Sequence, residues 1–204
     1  MTTPSLPTIS EQERLTQALF RTLLDCMSRP GKIGKMAPSN GVLEIGLDPC
    51  VVSVALTLLD QEVSFHIVHD NGASSSMLQV YTMARMAPME QCDFVFLQGT
   101  DAVDIRSLKR GILTYPDESA TVVCSVKRLS EAATRSPGTT RLTLSGPGIK
   151  DECQLCIDGI DQQLMSCWQT ANQEYPLGID WIFVDVEGNV CCIPRSTQFT
   201  WEVM

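Results

Sequence analysis

Two short stretches of this sequence carry the residue types and spacing of a zinc site: His66-Ile67-Val68-His69 and Cys153-Gln154-Leu155-Cys156. Together they would supply a Cys2His2 ligand set. Val63-Ser64-Phe65-His66-Ile67 alternates as a strand does, however, and in a strand residues i and i+3 point to opposite faces. They are the only histidines present, and a single Cys-x-x-Cys lacks the second pair that marks a zinc module. The expectation is that neither pair holds metal. Nucleophilic catalysis fares no better. Ser145 ends an apolar stretch, but the Gly-x-Ser-x-Gly elbow is absent and no histidine has a local relation to it.

Gly146-Pro147-Gly148-Ile149-Lys150 could cradle a phosphate after a strand. Such a cradle works through successive backbone N–H groups, and Pro147 has none. Walker spacing and its Lys-Ser/Thr end are also missing. Gly146 and Gly148 are therefore expected to turn the chain sharply after a core strand. The charged pair Asp180 and Arg195 is more informative. Both flank Glu187-Gly188-Asn189, which reads as the turn of a β-hairpin. A two-residue turn at Glu187-Gly188 sets residue 180 opposite 195; one at Gly188-Asn189 makes 195 a diagonal neighbour of 180. A three-residue loop would undo the pairing. The flanking strands are apolar on both faces, so both charges face burial and need each other. A structural ion pair is the leading expectation, with a ligand or partner contact by Arg195 as the other. Arg21, set among Phe20, Leu23 and Leu24, carries the same two readings.

The elements that must position these residues follow from periodicity and caps. Ser10-Glu11-Gln12-Glu13 fits a capping box, and Leu15, Ala18, Leu19, Thr22, Leu23, Cys26 and Met27 follow at helical spacing until Arg29-Pro30-Gly31. Val42 to Ile45 reads as a short strand. Asp48-Pro49 caps an apolar helix from Val51 to Leu59. A strand at Val63 to Ile67, a helix from Ser74 to about Ala84 and a strand at Asp93 to Leu97 come next. A short helix is expected from Asp104 to Lys109, then strands at Thr121 to Val126 and Thr140 to Ser145. Asp161 caps a helix through Leu164, Trp168 and Ala171 up to Tyr175-Pro176, with Ile160 and Met165 as its staple. Ile179 to Val184 and Val190 to Ile193 form the hairpin. Alternating helices and strands without repeats or a long linker predict one mixed α/β domain over 9–204, behind a loose tail at 1–8.

Composition sets the outer bounds. With 44% hydrophobic and 19% charged residues, the 204-residue chain can bury a sizeable core. A net charge of -9 argues against non-specific binding to nucleic acid or an anionic membrane. No apolar run reaches the roughly 18 residues of a membrane span. The first residues lack the basic and apolar regions of a secretory signal, so a cytoplasmic protein is expected. In that reducing setting the nine scattered cysteines read as small buried hydrophobes.

Four ordered segments resemble one family. Phe20-Arg21-Thr22-Leu23-Leu24-Asp25-Cys26-Met27-Ser28-Arg29-Pro30-Gly31 is similar to an opening FRxLLxxMSxPG signature, and Leu142 to Ile149 to a central L-x-G-x-G-I strand and turn. Tyr175-Pro176-Leu177-Gly178-Ile179-Asp180 and Ile193-Pro194-Arg195-Ser196-Thr197 resemble closing FPLGID and IPRTT segments. The family is PhnH, the H subunit of the bacterial carbon–phosphorus lyase system for phosphonate use. The resemblance implies a single mixed-sheet, three-layer α/β domain resembling the large domain of PLP-dependent transferases, without PLP. It implies a homodimer in isolation and a core complex with the G, I and J subunits. That complex transfers an alkylphosphonate to the ribose of ATP with release of adenine, and the family's chemistry is credited to the I and J partners. No catalytic residue and no cofactor are therefore assigned to this chain. Trp181 after GID and the extra cysteines depart from the pattern without touching the motifs. The competing reading is a stand-alone PLP- or nucleotide-binding enzyme. Its Schiff-base lysine would come from Lys32, Lys35, Lys109, Lys127 or Lys150, with Lys150 the best placed.

Overall fold

The structure, a computed structural model, describes residues 9–37, 46–70, 72–131 and 137–204. The side chains of 9–12 are not among them, so the contact expected between Ser10 and Glu13 falls outside, as does the strand expected at 42–45. The described α-helices are α1 (Ile9–Ser28), α2 (Pro49–Leu58), α3 (Ala73–Thr82) and α4 (Gln162–Ala171). The strands are β1 (Ile33–Lys35), β2 (Ser64–Ile67), β3 (Arg85–Met86), β4 (Phe94–Gln98), β5 (Arg110–Ile112), β6 (Tyr115–Ser119) and β7 (Thr121–Val126). They continue as β8 (Arg128–Glu131), β9 (Thr140–Ser145), β10 (Cys153–Asp158), β11 (Asp180–Asp185), β12 (Asn189–Ile193) and β13 (Gln198–Val203).

Seven strands make one mixed sheet in the order β1-β12-β11-β7-β4-β2-β3. From β11 to β3 every pairing is parallel, while β12 runs antiparallel to both β11 and β1. Both faces are covered, so β7 and β11 read as near-continuous apolar runs. On one face Phe65, Phe96, Val123, Ile182 and Val190 pack against Leu19, Leu23 and Cys26 of α1, Val51 and Val54 of α2 and Leu78 of α3. On the other, Val122, Cys124, Trp181, Phe183 and Cys191 pack against α4 and a second, antiparallel sheet ordered β13-β9-β10-β8. Three layers therefore stand as α, mixed sheet, and an antiparallel sheet with α4. The departure residue Trp181 is fully buried, with its ring centroid 4.8 Å from Trp168 and 5.3 Å from Phe183.

Local chemistry sets the element ends. Asp48 Oδ1 accepts from the Cys50 N–H at 2.7 Å with Pro49 opening α2. Asp161 Oδ1 accepts from the N–H groups of Gln163 (2.7 Å) and Leu164 (3.3 Å), with Ile160 and Met165 buried beside it. α4 ends at Ala171, four residues before Tyr175, where a helix up to the proline was expected. The Asn172 side chain there clasps Ile179, donating to its carbonyl (3.0 Å) and accepting from its N–H (2.8 Å). The helix expected at 104–109 shrinks to one 3-10 turn, Ile105–Ser107. Eight of the nine cysteines are buried and all nine are free thiols.

The hairpin β11–β12 corrects the expected register. Trp181 pairs with Ile193 and Val184 with Val190, which leaves a three-residue loop and sets residue 180 opposite 194. Gly188 donates to the Asp185 carbonyl (3.0 Å) and takes φ +79°, the type I turn plus left-handed residue typical of three-residue loops. Asp185, wholly buried, accepts from the N–H groups of Leu129 (2.9 Å), Glu187 (3.0 Å) and Asn189 (2.9 Å) and from Asn189 Nδ2 (2.8 Å). Those donors solvate the carboxylate and bolt the hairpin to β8.

The Gly-Pro-Gly turn tests the packing directly. Gly146 has φ +128° and Gly148 φ +84°, and Ile149 donates to the Gly146 carbonyl at 3.1 Å. A Cβ on Gly148 would lie 2.3 Å from the Ser28 carbonyl oxygen, whereas one on Gly138 (φ +85°) would meet nothing within 4 Å. Gly148→Ala is expected to lower stability by about 2–4 kcal/mol, strain plus clash. Gly138→Ala should cost only about 1 kcal/mol. Urea denaturation of both variants checks the difference.

Candidate functional site

The four ordered segments of the sequence converge in space. Gly148 abuts the Ser28 carbonyl at the end of α1, and a Cβ on Gly31 would meet Cys153 Sγ at 2.7 Å and Leu144 at 2.8 Å. A Cβ on Gly146 would lie 3.1 Å from the Ser196 carbonyl, and one on Gly178 3.0 Å from Arg195 Cβ. Three backbone strips thus approach closer than side chains allow, and glycine is the residue that permits it.

At the centre sits the pair Asp180–Arg195, each side chain 17% exposed. Asp180 Oδ1 accepts from the Arg195 backbone N–H at 2.7 Å and from Nε at 3.1 Å, while Oδ2 takes a terminal guanidinium nitrogen. The other terminal nitrogen donates to the Pro116 carbonyl. The pair forms despite the three-residue loop, because Arg195 lies past the end of β12 and is free to fold back across Pro194. With Nε and both terminal nitrogens donating to a carboxylate or a carbonyl, Arg195 clamps chain segments together. Close by, Asp93 Oδ2 accepts from Ser64 N–H (2.7 Å) and Oγ (2.6 Å), and Oδ1 pairs with Lys109. Burial pushes the Asp93 carboxyl up, but the hydrogen bonds from Lys109 and Ser64 outweigh it and hold it below the ordinary value.

This cluster lies at the amino ends of the parallel strands, since Asp180 and Phe94 are both in register with Thr121. In open α/β sheets, ligands bind at the carboxyl ends, where strand order reverses. Here β2 leads through α3 outward to β3, while β4 leads inward to β7, so the reversal falls between β2 and β4. A cleft of about 400 Å³ opens there, lined by His69, Asp70, Ser74, Met77, Gln98 and Asp101 among others. His69 holds φ +58° and is exposed. Asp70 accepts from the Ser75 N–H at 3.0 Å and Asp101 from the Gln98 N–H at 2.8 Å. Burial raises the Asp70 carboxyl, but hydrogen bonds from Ser75, Ser74 and Gly72 prevail and keep it ionised. Among the described residues the lining holds the carboxylates of Asp70 and Asp101 and no lysine or arginine. It thus offers no lysine for the aldehyde of pyridoxal phosphate, and its carboxylates disfavour the phosphate.

The remaining candidates scatter. Arg21 is exposed on α1, away from the Asp180–Arg195 clamp, and Lys150 is exposed beyond Gly148 and outside the cleft. His66 Nδ1 sits 3.2 Å from the Ala87 carbonyl on the mixed sheet, while His69 turns to the cleft. Cys153 and Cys156 lie on β10 of the other sheet, and no metal-holding group of three ligands occurs among the described residues. Sequence reasoning missed Pro116, Asn172, Asp185 and the Asp93–Lys109 pair. Pro116, Asn172 and the Asp93–Lys109 pair depend on groups brought together by the fold, whereas Asp185 caps its own hairpin turn through Glu187 and Asn189.

The fold and this site define an α/β protein built on a mixed seven-stranded sheet, with its family-like segments meeting at the Asp180–Arg195 pair. The model of a bacterial phosphonate metabolism protein family, PhnH, matches residues 7–200, and the chain belongs to that family. It is 29% identical over 190 residues to the alpha-D-ribose 1-methylphosphonate 5-triphosphate synthase subunit PhnH of Rhizobium meliloti (strain 1021), covering 91% of this chain and 90% of the relative. It is also 29% identical over 182 residues to a putative C-P lyase subunit protein, HtxG, of Stutzerimonas stutzeri, covering 89% and 84%.

Two outcomes follow from the clamp. Arg195→Ala leaves Asp180 without its cation and is expected to cost about 3 kcal/mol, and Arg195→Lys, which lacks the fork, should recover little. Asp180→Asn combined with Arg195→Met should cost less than the sum of the singles, read by denaturant titration. For Asp93, a depressed carboxyl contributes stability that is full above its unfolded value of about 3.9 and lost as pH falls through the folded value. Asp93→Asn should therefore lower the melting temperature at neutral pH and flatten its decline below about pH 4.

Proposed function

We propose that this chain is a required, non-catalytic subunit of the alpha-D-ribose 1-methylphosphonate 5-triphosphate synthase step of phosphonate catabolism. In this reading it works in the cytoplasm with the G, I and J subunits of the C–P lyase core complex. The complex transfers an alkylphosphonate to the ribose of ATP and releases adenine, while this chain on its own is a homodimer. Family membership and the subunit names of the two relatives support the pathway. The observation that carries the non-catalytic role is that Nε and both terminal nitrogens of Arg195 each donate to Asp180 or Pro116, where the family motifs meet.

The electrostatics of the cleft point the same way. A phosphonate or triphosphate entering between Asp70 and Asp101 meets like charge, with no lysine or arginine among the described lining residues to offset it. The kinship with the large domain of PLP-dependent transferases, taken as a reading of fold alone, is compatible with a parallel core covered on both faces.

Co-expression of the tagged chain with the G, I and J subunits should yield a stable complex on affinity purification. The purified chain alone, given ATP and methylphosphonate, should release no adenine by chromatography, and the complex should release it. Adenine release by the chain alone, or failure to co-purify with the other subunits, would overturn the proposal.

A further inference from the structure

No charged residue occurs from 71 to 84, in a chain that is 19% charged. Most of that stretch is α3. Ser74 and Leu78 are buried, while Met77 (40% exposed), Val80 (70%) and Tyr81 (51%) stand at i, i+3 and i+4 on one outer face of the helix. Met83 (69%) ends α3, and Met86 (49%) follows on β3, the last strand of the mixed sheet. Five large apolar side chains thus reach solvent within ten residues of chain. Such a concentration marks an interaction surface, and three of the five are methionines, whose flexible thioethers adapt to the shape of a partner.

Met77 also lines the cleft at the carboxyl ends of β2 and β4, so the apolar face runs into it. The charge of the cleft has one sign. Asp70 and Asp101 enter its lining from the loops after β2 and β4, and His69 and Gln98 add hydrogen-bonding groups. Residues 38–45, which lead into Gly46 of the lining, hold no lysine or arginine, and their one charge is Glu44. Cations on the adjoining segments are engaged elsewhere. Arg85, past the other end of α3, donates to the Glu62 carbonyl (3.3 Å), Lys127 pairs with Asp158 (3.3 Å), and Arg106 is held by Asp104 through Nε (2.8 Å) and a terminal nitrogen (2.7 Å). A cleft of about 400 Å³ has room for a lysine or arginine side chain, and the apolar face beyond it is more than a small ligand would cover.

We infer that α3 and the cleft beside it dock another subunit of the complex, through a segment that sets a lysine or arginine next to apolar residues. The cation enters between Asp70 and Asp101, and the apolar residues cover Met77, Val80 and Tyr81, with Met83 and Met86 at the margin. Burial of the apolar face supplies the affinity. The cation fixes the register, because it meets opposite charge only at the cleft. This inference rests on the subunit reading above and assigns its surface and the chemistry of the partner segment.

Photo-cross-linking of the full chain, co-expressed with the G, I and J subunits, tests it. The cross-linker p-benzoylphenylalanine replaces Val80, or, for comparison, Leu113 at the bare tip of the β5–β6 arm (77% exposed). From position 80 it should reach another subunit, and mass spectrometry should find a lysine or arginine beside apolar residues in the linked peptide. Val80→Asp should cut the amount of co-purified subunits by at least about tenfold. Asp101→Asn keeps an oxygen for the Gln98 N–H and removes the charge, so its complex should be less sensitive to salt than the wild type. Thermal unfolding checks that both variants are folded. A wild type that fails to co-purify would overturn the subunit reading and this surface together. A folded Val80→Asp variant that co-purifies like the wild type overturns this surface alone. So does a link from position 80 to its own chain, to a second copy or to a peptide without lysine or arginine, and so does a link to other subunits from position 113 only.

Discussion

Everything at the amino ends of the parallel strands depends on one bidentate contact, Arg195 on Asp180. The carboxylate accepts both from the guanidinium and from the backbone N–H of the same arginine, so the chain after β12 must fold back against the start of β11. The remaining terminal nitrogen then reaches Pro116 and ties in the β5–β6 hairpin. Burying two charges costs several kcal/mol each in desolvation, and a mostly buried pair offers little net stability over well-packed apolar residues. What it supplies is geometry. A planar fork with its acceptors in place admits one arrangement of three chain segments, which an apolar contact would leave free to slide.

Close backbone approach is the second constraint, and it follows from the first. With the turn after β12 fixed, Ser196 presses against Gly146, Gly148 against Ser28, and Gly178 against Arg195 and Asn172. Each glycine has positive φ, so a side chain would meet both conformational strain and a neighbour. The segments by which this chain resembles its family are therefore the places where secondary elements touch with no room between them. The cleft at the carboxyl ends of β2 and β4 has the position expected of a ligand site, and its described lining carries the carboxylates of Asp70 and Asp101.

Much of this was legible in the sequence, and the limits have physical causes. The caps at Asp48 and Asp161, the two-faced apolar strands β7 and β11 and the buried cysteines all rest on local periodicity or capping, and they stand in the structure. The Asp180–Arg195 pair was foreseen with the wrong register, because turn length depends on how Gly188 meets Met36, a contact 152 residues away in sequence. The second sheet was mostly missed. β10 was masked by its Cys-x-x-Cys spacing, and β8 is four residues long and amphipathic only on the sheet it joins. The β5–β6 arm left no signal either, since an exposed apolar tip breaks the alternation by which strands are recognised.

The proposal at the centre is that the Asp180–Arg195 pair, where the family's motifs meet, holds the fold together and does not act on substrate. Growth on methylphosphonate as sole phosphorus source, in a strain lacking this gene and carrying the Asp180→Asn, Arg195→Met variant, tests it most directly. The account predicts growth at close to the wild-type rate as long as the variant is folded and joins the complex. A folded variant that enters the complex and still cannot support growth would show that the pair acts on substrate, and would contradict it.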